Sequence, residues 1–192
     1  DGLLVAFRQR LKLDVAAHAP RRLFVDAGVV AWQGRAIVLP GESRAGKTTL
    51  VRALLDAGAT YLSDEYAVID RRGAVHPYPQ PLGVRSEDHP FQVDHDPVRL
   101  GHAVATRAMP VGLVALIDHV PGGAWHADPV TRGRAVLEIL VHTASAAQNP
   151  ARAMALLDAA LGPASCLVGE RGEAADAVDH LLALLEGRCP ES

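Results

Sequence analysis

Lysine is almost missing from this chain: of its 19 basic residues only Lys12 and Lys47 are lysine, and the rest are arginine. Where arginine is the default cation, a retained lysine marks a place that needs a compact ammonium rather than a planar fork. Asparagine is scarcer still. The single one, Asn149, precedes Pro150, so the Asn-Lys-x-Asp segment that reads guanine cannot form, and the Leu-Ser-Gly-Gly-Gln segment of transporter ATPases does not occur. Aromatic residues make up 4% of the chain against 49% hydrophobic overall, so a core must be built mostly from Ala, Val and Leu. Cys166 and Cys189 stand apart, without CxxC or His–Cys spacing. That pattern argues against a disulfide framework and fits thiols in a reducing cytoplasm. The longest uncharged apolar run, 109–117, falls well short of the ~20 residues of a membrane span, and no signal peptide is visible. A net charge of −3 argues against a nucleic-acid partner bound through a basic face. A cytoplasmic protein with neither a membrane nor a nucleic-acid partner is the expectation.

What is present is an alternation of apolar strands and amphipathic helices. Leu3, Leu4, Phe7, Leu11, Val15 and Ala16 recur at helical spacing before Pro20. RLFVDAGVV (22–30) and RAIVLP (35–40) read as strands joined at Gln33-Gly34, and 48–57 as a helix closed by Gly58. ATYLS (59–63) is the next strand, followed by strand, turn and strand over 66–79. Residues 80–110 are rich in Pro and His and are expected to be irregular. A buried strand over 111–120, helices near 131–145, 150–161 and 173–187, and a short strand near 164–169 complete the chain. The expected class is α/β, a single domain over 1–192 with a mainly parallel or mixed sheet and flanking helices. Within it, 1–21 forms an N-terminal helix, 22–130 a sheet and loop for a nucleotide, and 131–192 a helical C-terminal part.

Gly41, Glu42, Ser43, Arg44, Ala45, Gly46, Lys47 and Thr48 fit G-x-x-x-x-G-K-[ST] in full. In that pattern glycines let backbone N–H groups turn inward on phosphate oxygens, the lysine meets the β/γ-phosphates, and the hydroxyl meets Mg²⁺. An apolar strand precedes the loop, and a helix with Leu50, Val51, Leu54 and Leu55 follows it, presenting its positive end to the same spot. Thr49 completes the expected contacts to the bound nucleotide.

A phosphate cradle does not choose between hydrolysis and transfer; the next acid does. At ~1.5 Å per residue the helix carries the chain about 15 Å away. At ~3.3 Å per residue the following strand brings it back by Asp64. Asp64 and Glu65 are therefore expected beside the phosphates, one accepting the proton of an attacking hydroxyl and the other helping to hold Mg²⁺. GLVALID ends a second apolar strand at Asp118, which ranks behind them as a metal acid.

Residues 22–86 resemble the catalytic core of the HPr kinase/phosphorylase family, especially its small bacterial relatives found beside peptide-modifying gene clusters. The matching pieces are GESRAGKTT, the acid pair in YLSDEYAVID, and PQPLGVR (79–85). The resemblance implies the P-loop fold shared with phosphoenolpyruvate carboxykinase, ATP and Mg²⁺ as cofactors, and transfer of phosphate to a hydroxyl, often a serine of a peptide or protein. It implies a cradle lysine at Lys47, a Mg²⁺ hydroxyl at Thr48 and the catalytic acid at Asp64, with Glu65 its neighbour. Arg85 matches an arginine that reaches the reacting phosphates. The family's habit of assembling makes a homo-oligomer an expectation. Asp26 departs from the pattern, because a histidine is usual on that strand; a carboxylate there either replaces the histidine's chemistry or leaves it to Asp64. The alternatives are a kinase of small-molecule hydroxyls and a nucleotide-binding regulatory module that has lost catalysis.

His89, His95 and His102 share the irregular stretch with Asp94 and Asp96, but their spacing fits no compact metal motif. That stretch is better read as a lid or acceptor-recognition loop.

Overall fold

The computed structural model describes residues 19, 21–41, 46–86, 89–144 and 146–187. The helix expected over 3–17, and Cys189, lie outside them. Ten strands and four helices are described: β1 (Arg22–Trp32), β2 (Arg35–Pro40), α1 (Lys47–Asp56), β3 (Thr60–Ser63), β4 (Tyr66–Asp70), β5 (Ala74–His76), β6 (Leu82–Ser86), β7 (His89–His95), β8 (Met109–His119), β9 (His126–Pro129), α2 (Arg132–Leu140), α3 (Pro150–Leu161), β10 (Ser165–Arg171) and α4 (Ala174–Leu185).

Eight strands join in the order β2-β1-β4-β5-β8-β10-β9, with β3 on β1 and a further β2–β8 pairing that closes the path. The sheet is mixed and mostly antiparallel, with only β2–β8 and β8–β10 parallel. This corrects the mainly parallel option. The antiparallel excess comes from tight turns: Gln33 and Gly34 both take positive φ at the β1–β2 hairpin, the mirror-image turn geometry that suits twisted strands.

Alternation along the central strands serves two cores. Val25, Ala27, Val29, Val38 and Val114 face one side, where α2 and α3 contribute Ala135, Val136, Ile139, Leu157 and Leu161. Val30, Ile37, Leu39, Leu113 and Ile117 face the other, against Leu50, Val51 and Leu54 of α1 and Val178, Leu181 and Leu185 of α4. Strands buried on both faces read as near-continuous apolar runs, which is why β1, β2 and β8 are plain in the sequence. The free thiol of Cys166 is buried in the first core.

Three strands escape the sequence reading. Residues 80–110 are not irregular throughout, since β6 and β7 pair as a separate antiparallel ribbon with Leu82 opposite His95 and Val84 opposite Val93. Pro90 disguises β7; a two-stranded ribbon tolerates it because each strand keeps one unpaired edge. The short β9 pairs only with β10 as an edge strand and ends in Pro129. The helix expected over 131–145 stops at Leu140, and the strand near 164–169 continues to Arg171. No helix among the described residues is long and apolar enough to cross a membrane.

Gly28 sets the approach of α1 to the sheet. A Cβ there would lie 2.5 Å from Val51 Cγ2 and 3.7 Å from Asp64 Oδ1. Gly28→Ala should force the helix outward and cost about 1–3 kcal/mol, a drop of roughly 2–4 °C per kcal/mol in thermal unfolding. An unchanged melting temperature would show that the helix does not pack this closely.

Candidate functional site

Strand direction decides where the chemistry-bearing residues collect. β2, β8 and β10 run parallel, and β3 points the same way because both β2 and β3 are antiparallel to β1. Their carboxyl ends therefore share one edge, the side on which parallel strands of α/β proteins present ligands. Gly41 follows β2 there, Asp64 follows β3, Asp118 and His119 close β8, and Arg171 closes β10. Asp118 is thus on the same edge as the first-ranked acids, although no bond ties it to them among the described residues.

Gly41 is tied to β1 by its N–H, which donates to the Asp26 carbonyl at 3.4 Å. Glu42, Ser43, Arg44 and Ala45 lie outside the described residues. The chain is described again at Gly46, the N-cap of α1, with φ 75° in the left-handed region that glycine enters without strain. A Cβ on Gly46 would lie 2.6 Å from Arg171 Nη2 and 3.4 Å from His119 Cβ, so a side chain here would have to displace the Arg171 guanidinium.

From Gly46 the first turn of α1 delivers two groups to the β1–β3 side. Lys47 Nζ forms an ion pair with Asp26 Oδ1 at 2.8 Å and also donates to the Gly41 carbonyl. Thr48 Oγ1 donates to Asp64 Oδ2 at 2.7 Å. Thr49 is exposed beside them. Asp26 stands where β1 changes partners: up to this residue it pairs with β4, and from Ala27 onward with β2.

A turn missed in the sequence aims Asp64. Buried Ser63 Oγ accepts the N–H groups of Glu65 at 3.2 Å and Tyr66 at 3.1 Å. The Glu65 carbonyl accepts the Ala27 N–H at 3.2 Å, which stitches the acid pair to β1 beside Asp26. The signal was the Ser-Asp-Glu run itself, a hydroxyl placed to close a turn on the backbone two and three residues on.

Asp64 is the electrostatically unusual member. Burial pushes its carboxyl up to about 6, with Glu65 and Asp26 adding repulsion, against the Thr48 hydrogen bond and the charge of Lys47. Its Oδ1 is buried with no hydrogen-bond partner among the described residues. A hydroxyl and a carboxylate are hard oxygen donors, and an orphaned buried carboxylate oxygen is an incomplete site. Thr48 Oγ1 and Asp64 Oδ2, with Glu65 adjacent, fit a magnesium ion that takes its remaining ligands from phosphate and water, which leaves Oδ1 open to a hydroxyl donor. Among the described residues no group of three or more His, Cys, Asp or Glu side chains could hold a metal unaided.

Arg85 lies on β6, and its side chain is outside what the structure describes. Arg171 and His119, which flank Gly46, were not singled out in the sequence. They belong to strand ends far along the chain, and only the β8–β10 pairing, with Arg171 opposite His119, brings them to the loop.

No family model matches the chain, and no curated protein matches it in sequence. Among solved structures, the HPr(Ser) kinase/phosphatase from Coxiella burnetii aligns over 85% of this chain and 93% of its own, with a TM-score of 0.40 and 14% identity. At that score and identity the likeness fixes neither the activity nor the ligand.

Proposed function

We propose that the protein is a kinase that transfers the terminal phosphate of MgATP to a hydroxyl, the acceptor being a serine of a peptide or protein. The observation that carries this reading is the division of labour within one carboxylate: Asp64 Oδ2 is engaged by Thr48, and Oδ1 is a buried acceptor with no donor. An incoming hydroxyl is the donor it lacks. Lys47 supplies a point charge to the phosphate chain, released from Asp26 as a stronger anion arrives. Arg85 steadies the transferred charge, as the motif match implies. Bound Mg²⁺ would neutralise developing charge on the phosphate oxygens. Phosphoryl transfer asks for positioning and neutralisation rather than covalent chemistry, so a small site of this kind suffices.

The test is incubation with ATP, Mg²⁺ and serine-containing peptides, read by mass spectrometry. A phosphate added to a peptide serine, and lost when the metal is chelated, is the expected result. Phosphate appearing only on small hydroxyl compounds would move the acceptor class to small molecules. ATP bound without turnover on any acceptor would replace the kinase by a regulatory nucleotide-binding module, a reading that the Asp26–Lys47 ion pair at 2.8 Å also fits, since it restrains the lysine.

A further inference from the structure

The proposed transfer leaves one basic group at the site unused. Arg171 is 2% exposed. Its Nη1 donates to the Gly172 carbonyl at 2.8 Å and its Nη2 to the Gly46 carbonyl at 3.0 Å. Its Nε is buried with no hydrogen-bond partner among the described residues. Among those residues no carboxylate forms a salt bridge with it, and Glu173, at the start of α4, acts on it only through space.

A guanidinium buried without an acid is expensive, and its position adds to the cost. Gly46 caps the N-terminus of α1, whose first turn has no acidic residue and opens with Lys47. The helix end is itself partially positive and repels cations. Two positive contributions, from the helix end and Arg171, meet at Gly46, while the Lys47 ammonium, paired with Asp26, stands on its other side. The group that reconciles them is an anion.

We infer that Arg171 is a positioning residue for a bound polyphosphate: it anchors the Gly46 carbonyl and adds its charge on the β8–β10 flank of the loop. The inference rests on the nucleotide reading above and gives the ligand a direction. Lys47 and Thr48 turn toward Asp26 and Asp64 on the β1–β3 side, where the reacting phosphate belongs. Arg171 and His119 border Gly46 on the opposite side, so the phosphates nearer the nucleoside lie there.

Calorimetric titration of the full chain with MgATP and, separately, with inorganic tripolyphosphate tests it, using Arg171→Lys, Arg171→Gln and Lys47→Ala. Lysine keeps the charge; glutamine keeps a donor for Gly46 without it. The expected result is that Arg171→Gln weakens both ligands about ten-fold relative to Arg171→Lys. Tripolyphosphate has no base or ribose, so a shared factor places the effect on the phosphates. Equal affinities in the lysine and glutamine variants, with Lys47→Ala still losing both ligands, would overturn the role of Arg171 and leave the nucleotide reading intact. Failure of the unsubstituted protein to bind either ligand would overturn the nucleotide reading itself.

Discussion

Asp64→Asn is expected to remove phosphoryl transfer by about 10²–10⁴-fold, the range for losing a general base, while nucleotide binding persists. The same substitution should change how stability depends on pH. The folded carboxyl sits at about 6 against 3.8 for an ordinary aspartate. Between those values the folded chain binds more protons than the unfolded one, so raising the pH through the window costs stability. The penalty is absent below about pH 4 and complete above about pH 6, on the order of 2–3 kcal/mol for a shift of this size. The melting temperature of the asparagine variant relative to the parent should therefore climb by roughly 5–10 °C from pH 4 to pH 7. In the parent protein, kcat/KM should rise through about pH 6 as the base ionises. A difference in melting temperature that does not change with pH, or transfer that survives the substitution, would remove Asp64 from this role.

Lys47→Ala should weaken MgATP binding about a hundred-fold, the scale of losing charged hydrogen bonds to phosphate. Its effect on folding should be small. The ion pair it breaks joins a lysine side chain 12% exposed to an aspartate 45% exposed, and the aspartate left behind is open to water rather than stranded. Lys47→Arg should recover little of the affinity, because a planar fork does not replace a compact ammonium in a space bounded by Asp26 and the Gly41 carbonyl. Calorimetric titration measures both variants; affinity close to that of the parent in Lys47→Ala would end the cradle assignment.

The geometry around Thr48 was legible in the sequence because it depends on short-range arithmetic. A helix out and a strand back recover similar distances, which returns Asp64 to within 2.7 Å of Thr48 Oγ1. β1, β2 and β8 were legible because both of their faces are buried. The ribbon of β6 and β7 was not, since Pro90 and the polar residues around it mimic a loop, and β9 was too short and too polar to register. Arg171 was beyond reach for a different reason. Its meaning comes from a contact with Gly46, 125 residues away along the chain, and no local pattern carries that information.

The dual pairing of β8 has a consequence for dissection of the chain. This strand meets β5 through Met109 and Pro110 and β2 through Val111, Leu113 and Val114, and it then receives β10. A fragment ending before it would retain Asp26, Lys47, Thr48, Asp64, Glu65 and Arg85, yet leave β2 and β5 with raw edges and both cores half built. The chemistry-bearing N-terminal part is thus not a detachable module. Its acids and its lysine keep their alignment only while a strand that carries none of them is in place.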